Sequence, residues 1–238
     1  MDKVSTGEVR DASATAPPAR PRPWRWLLPS ALALILVVLT ANVVGHGPVL
    51  GLDEHIRSAV LGWARAPGWR WLSDTPRAPA RLLTDLGSLL VAIPVLALAA
   101  VAAVAWRHSV RPLITAALGV ALLLVTVIPA KIIIGRAGPG LPPVRPGGLG
   151  VFPSGHTATA CVCFSLAAAL LTAGQPAWVR RPVLAGLAVL WLAVGAALVW
   201  CDYHWFSDVA ASWALAALLV PLTLRLAPPA ARPAGPVG

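Results

Sequence analysis

The chain has 238 residues, of which 58% are hydrophobic and only 12% charged, with a mean hydropathy of +0.76. A soluble domain carries about 25% charged residues, so this composition excludes a water-facing globule and, equally, a disordered chain. The formal charge of +10 does not indicate nucleic acid, because the basic residues are dispersed between long apolar runs and form no contiguous patch.

Residues 1–26, rich in Ala, Pro, Ser, Thr and Arg, read as a disordered cytoplasmic tail. They lack a signal-peptide pattern, since the following apolar run is too long for an h-region. Six apolar runs come next, at about Leu27–Val44, Leu86–Trp106, Leu113–Ile134, Thr157–Ala173, Val183–Cys201 and Val209–Leu226. Each is close to the roughly 20 residues that span a bilayer as a helix. The expected fold is therefore all-α, a six-transmembrane-helix bundle over residues 27–226, closed by a disordered Pro/Ala-rich tail at 227–238. Between the first two runs, Leu52 to Asp85 mixes Ile56, Val60, Trp63, Trp69, Trp71 and Leu72 with arginines. That segment is expected to lie in the interface plane, either as a lid over the bundle or as a lipid-entry surface.

Six spans put both termini on one side. Of the 19 Lys and Arg residues, 11 fall on that side and 8 on the other, which assigns the termini to the cytoplasm. Trp24, Trp26, Trp106 and Trp178 on one side and Trp200 and Trp205 on the other match interfacial aromatic belts. Cys161, Cys163 and Cys201 have no metal-ligand spacing and read as small buried hydrophobes.

On this topology the non-cytoplasmic ends of the last four spans gather Lys131, Arg136, Ser154, His156, Asp202, His204 and Asp208. Ionisable groups at membrane depth are costly and commonly functional. Lys131 is one of only two lysines among those 19 basic residues, and an ammonium suits a phosphate oxygen; the alternative is a snorkelling helix-end lysine. Pro153-Ser154-Gly155-His156 precedes the fourth span, where unpaired backbone N–H groups and the helix dipole favour an anion. Ser154 or Thr157 could equally cap that helix. His204 and Asp208 are four apart and would share a face of a continuous helix. Such a carboxylate fixes one imidazole nitrogen and frees the other; alternatively, Ser207 and Asp208 cap the sixth span. Two histidines, an orienting carboxylate, a lysine and a helix-start anion nest together specify phosphoryl transfer by residues alone.

These residues resemble the type 2 phosphatidic acid phosphatase superfamily of lipid phosphate phosphatases, whose motifs are Lys-x6-Arg-Pro, Pro-Ser-Gly-His and Ser-Arg-x5-His-x3-Asp. The first is met at Lys131 and Pro139, the second throughout Pro153–His156, and the third at His204 and Asp208. The stretch Thr84 to Ser88 also looks like the family. The resemblance implies a phosphatase acting on phosphatidate, phosphatidylglycerol phosphate or a polyprenyl diphosphate at an outward-facing site. It implies His204 as nucleophile, Asp208 as its orienter and His156 as general acid. Lys131, Ser154 and Gly155 are implied to bind the phosphate, with no metal or cofactor and with membrane lipids as surroundings. The two motif arginines are absent: their positions hold Gly138 and Leu198. A charge-assisted contact is worth about 1.5–3 kcal/mol, so the loss of both corresponds to about 10²–10⁴ in rate. Arg136 is the nearest candidate replacement and Arg145 a looser one. A lipid-linked phosphotransferase and a non-catalytic lipid-phosphate binder or transporter-like relative are the competing readings. Oligomeric state is left open.

Overall fold

The computed structural model describes residues 26–65 and 78–228. The two tails and the linker carrying Trp69, Arg70, Trp71, Leu72 and Arg77 lie outside the described residues. The elements are α1 (Leu27–Val44), α2 (Val49–Arg65), α3 (Ala78–Leu86), α4 (Leu89–Arg107), α5 (Arg111–Ile134), α6 (Gly155–Thr172), α7 (Ala177–Trp200) and α8 (Phe206–Leu226). No strand occurs among the described residues. Helices α1, α4, α5, α6, α7 and α8 are long and apolar enough to cross a membrane, so the chain is a multi-pass helical membrane protein. Helices α2 and α3, too short or too polar to span, fill the segment after the first span.

Lipid tails are as apolar as leucine, so helices in a bilayer associate through close packing of small residues rather than by a hydrophobic drive. The centre of this bundle obeys that rule. Helix α6 buries Ala158, Ala160, Cys161, Cys163 and Ala167, and α4 presents Ala92, Ala99, Ala100 and Ala103. More than half of the α6 window is buried, against 6% for α1. Helix α6 is thus the axial element, touched by α4, α5, α7 and α8, while α1 leans on α8 at the edge. Large side chains such as Leu34, Leu90, Val125 and Leu192 are exposed and face the surrounding lipid.

Two contacts order the face opposite the site. Arg107 at the end of α4 donates from Nη2 to the carbonyls of Leu170 (2.6 Å) and Ala173 (3.1 Å), satisfying orphan carbonyls at the end of α6. Arg225 at the end of α8 lies 6.0 Å from the Trp26 ring at the start of α1. The chain therefore enters its first span and leaves its last on the same face.

Five of the six spans start away from the sequence expectation: α4 begins three residues late, at Leu89 instead of Leu86, and α5 two residues early, at Arg111 instead of Leu113. Helix α7 begins at Ala177, six residues before Val183, and runs through Arg180, Arg181 and Pro182. Helix α6 begins at Gly155 and α8 at Phe206, each earlier than expected. The last shift matters most, because it places Asp208 inside the first turn of α8 while His204 stays outside the helix.

Candidate active site

The site is assembled on the face where α5 ends and α6 and α8 begin. Helix α5 stops at Gly135, whose left-handed backbone (φ 58°) returns its N–H to the Lys131 carbonyl. The following loop folds back on that end. Gly150 donates to the same Lys131 carbonyl (3.0 Å), Val151 donates to the Arg136 carbonyl (2.8 Å), and Lys131 Nζ donates to the Gly150 carbonyl (2.7 Å). A Cβ on Gly150 would sit 2.5 Å from the Arg136 nitrogen, so the close return needs glycine.

Pro153 and Ser154 then deliver the chain into α6. Ser154 is the N-cap, accepting from Thr157 N (3.3 Å) and Thr157 Oγ1 (3.0 Å). Both hydroxyl lone pairs are used as acceptors, and Ser154 is fully buried. Gly155 and His156 occupy the first two helical positions, where N–H groups point out of the helix end. A Cβ on Gly155 would lie 3.4 Å from Lys131 Cε, so the lysine passes directly over the start of α6. His156 interacts electrostatically with His204, Lys131 and Asp85. The turn between α3 and α4 backs this region: a Cβ on Gly87 would come 2.5 Å from the His156 carbonyl, which gives Thr84–Ser88 a physical reason for its glycine.

The turn of residues 201–205 carries His204, which is 8% exposed, with its Nδ1 3.3 Å from Oδ2 of the fully buried Asp208. The pair does not form along a helix. Trp205 is the N-cap of α8, and its N–H donates to the same Asp208 Oδ2 (3.1 Å). Capping and contact with the imidazole, alternatives at the level of sequence, therefore fall on one carboxylate. Asp202 takes a left-handed conformation (φ 58°) and accepts a bidentate bond from Arg57 on α2, at 2.8 and 2.9 Å. That contact accounts for Asp202 and raises the Arg57 guanidinium above its ordinary pKa, chiefly through the hydrogen bonds to Asp202, which with the nearby carboxylate charge outweigh the lowering by desolvation.

The starts of α6 and α8 are joined. Ser154 N donates to the Asp208 carbonyl (3.2 Å), and Ser212 Oγ donates to the carbonyls of Ser154 (2.9 Å) and Asp208 (2.8 Å). The structure thus brings together Lys131, Ser154, Gly155, His156, His204 and Asp208.

Arg136 is also present, but its guanidinium is turned onto carboxylates instead of standing free for an anion. Nη1 donates to Asp208 Oδ1 (2.5 Å) and Ser207 Oγ (2.7 Å), and Nη2 to Asp53 Oδ2 (2.7 Å). Arg145 is exposed in the loop. The two positions that lack the motif arginines are apolar. Leu198 is fully buried among Ala160, Val194 and Val209. A Cβ on Gly138 would stand 3.0 Å from Leu141 and 3.3 Å from Val151 side chains. Sequence reasoning missed Asp53, a carboxylate on α2 that is 1% exposed. Beside Arg136 opens a cavity of about 340 Å³ with largely apolar walls, including Val43, Leu50, Ile133 and Ile134.

A polytopic membrane protein of six spanning helices thus carries at one rim a buried histidine–carboxylate pair, a lysine and the start of α6. The PAP2 superfamily model matches residues 112–232, about half of the chain, and the chain belongs to that superfamily. The fold is similar to the crystal structure of the first transmembrane PAP2 type phosphatidylglycerolphosphate phosphatase from Bacillus subtilis. That match has a TM-score of 0.69 at 24% identity and covers 83% of this chain and 94% of that one. No curated protein sequence matches the chain.

Proposed function

We propose that the protein is a membrane phosphatase that hydrolyses lipid mono- or diphosphates through a phosphohistidine on His204. The observation that carries this reading is the His204–Asp208 pair facing the Lys131 side chain and the open start of α6. With the Nδ1 proton directed to Asp208, Nε2 is the free nucleophilic nitrogen. It attacks phosphorus, the bond to the leaving oxygen breaks, and His156 gives that oxygen its proton. Water then attacks the phosphohistidine and returns a proton to His156; the P–N bond breaks and inorganic phosphate leaves. Lys131 and the N–H groups of Gly155 and His156 oppose the charge that develops on the phosphoryl oxygens. Ser154 contributes by capping α6 and keeps its own hydroxyl proton for donation.

The apolar cavity beside the polar cluster suits an amphiphilic substrate better than a wholly water-soluble one. We read residues 27–226 as one catalytic domain, with the site facing outward and both termini in the cytoplasm, in keeping with the charge bias. The test is inorganic phosphate release by the detergent-purified protein from phosphatidate, phosphatidylglycerol phosphate and a polyprenyl diphosphate, with EDTA present. The expected result is release by the wild type and none by His204→Ala. Absence of release on all three substrates would overturn the reading.

A further inference from the structure

Asp53 and Asp208 are the buried carboxylates among the described residues, and Arg136 bridges them. A carboxylate at such depth is costly unless it is paired and fully hydrogen-bonded. Asp53 meets that condition by reaching across 154 positions of sequence to the start of α8. Oδ1 accepts from Ser207 N (2.8 Å), and Oδ2 accepts from Ser207 Oγ (2.5 Å) and from Arg136 Nη2 (2.7 Å). Ser207 Oγ in turn accepts from Arg136 Nη1 (2.7 Å), which closes a ring of Arg136, Ser207 and Asp53. The same Nη1 holds Asp208 Oδ1, whose other oxygen faces His204. The Trp205 ring lies under both Arg136 and Arg57, at 5.3 and 5.7 Å, and its Nε1 donates to the Ala137 carbonyl (2.9 Å). Arg136 is therefore fixed on three sides, and Asp53 supplies the anchor that none of the site motifs contains. Asp53 also lies outside the segment matched by the family.

We propose that Asp53 is a positioning residue of this site. It holds Arg136 and Ser207 so that Asp208 keeps one orientation and His204 one tautomer, and Arg136 serves this carboxylate pair instead of clamping phosphate. The kinetic consequence rests on the phosphatase reading; the structural consequence does not.

Asp53→Asn keeps shape but sets an amide donor against Arg136 or Ser207. The expected kinetic result is a fall in kcat of about 10–100-fold, the size that follows loss of an outer carboxylate, with KM within about twofold. Arg136→Gln is expected to behave alike, and the double variant Asp53→Asn/Arg136→Gln to be no worse than the poorer single one. The independent readout is the His204 Nδ1 proton in 15N-histidine-labelled protein, assigned by its loss in His204→Gln; Asp53→Asn is expected to move it upfield. Wild-type kcat in Asp53→Asn, a rise in KM alone in Arg136→Gln, or an unmoved Nδ1 proton would each overturn the proposal. If the wild type releases no phosphate, the phosphatase reading falls and the spectrum alone decides Asp53. Should Asp53→Asn fail to fold, Ser207→Ala opens the ring while keeping the backbone bond to Asp53, and the same kinetic and spectral shifts are expected at smaller size.

Discussion

Asp208 uses both of its carboxylate oxygens. One oxygen takes Arg136, the other takes the Trp205 N–H and faces His204 Nδ1. Removing its charge therefore acts on tautomer and helix cap together. Asp208→Asn is expected to lower kcat by about 10³–10⁴-fold, as loss of an orienting carboxylate does, and to lower the melting temperature through the damaged cap; single-turnover kinetics and a detergent melt check the two effects separately. The positions of the missing arginines carry their own prediction. Leu198 sits in a closed apolar cluster, where an unpaired guanidinium would cost several kcal/mol. Leu198→Arg is expected to destabilise the protein without raising phosphate release, and a gain in rate at unchanged stability would contradict this. At this scale the sequence placed His204, Asp208, His156 and Lys131 at one rim, because their spacing to helix ends is local. It could not show which partner Arg136 chooses, since Asp53 lies 83 positions away along the chain.

The elements position the site by their ends. The starts of α6 and α8 are tied through Ser154, Asp208 and Ser212, the end of α5 is folded under the loop by Lys131, and the α3–α4 turn presses on the His156 carbonyl. Gly87→Ala places a methyl 2.5 Å from a backbone oxygen that cannot yield without moving α6. The expected outcome is a loss of about 1–3 kcal/mol in stability together with reduced phosphate release, read from melting curves and kcat. Apolar runs made all six spans legible, and α1 agrees with its expected bounds. The helix starts were less legible. Arg180-Arg181-Pro182 looks like a break, yet α7 runs through it, because proline within a membrane helix is tolerated where neighbouring groups re-satisfy the backbone. His204 and Asp208 share their helical spacing without sharing a helix, and the cap at Trp205 brings them together.

Across the whole molecule, the buried axial helix α6 carries His156 at one end, while Arg107 closes its other end and Arg225 meets Trp26 on that same opposite face. The two faces are thus chemically distinct. Reporter fusions test their assignment: a fluorescent protein fused after Gly238 is expected to be folded and bright, and an alkaline phosphatase inserted in the 140–149 loop to be active. The reverse pattern would refute the proposed orientation. The segment after the first span was legible only as amphipathic. Its part in the site was not, because α2 contributes Asp53 and Arg57 through contacts separated by 154 and 145 positions respectively, and helical periodicity says nothing about what a polar face will meet.

The closed ring at Arg136 bears on how such a site changes through descent. An arginine pinned between two carboxylates is unavailable as a spare cation, and a carboxylate at position 53 without that arginine is a buried uncompensated charge. Neither residue is readily lost first. Aligned homologues are therefore expected to keep or discard the acidic residue at 53 and the arginine at 136 as a pair, and an alignment in which the two vary independently would show that the ring is incidental. A lineage that regains an arginine at position 138 would have to clear Leu141 and Val151 from its path. Substitutions at 141 and 151 should therefore accompany that change as neighbours in ancestry, not merely in space.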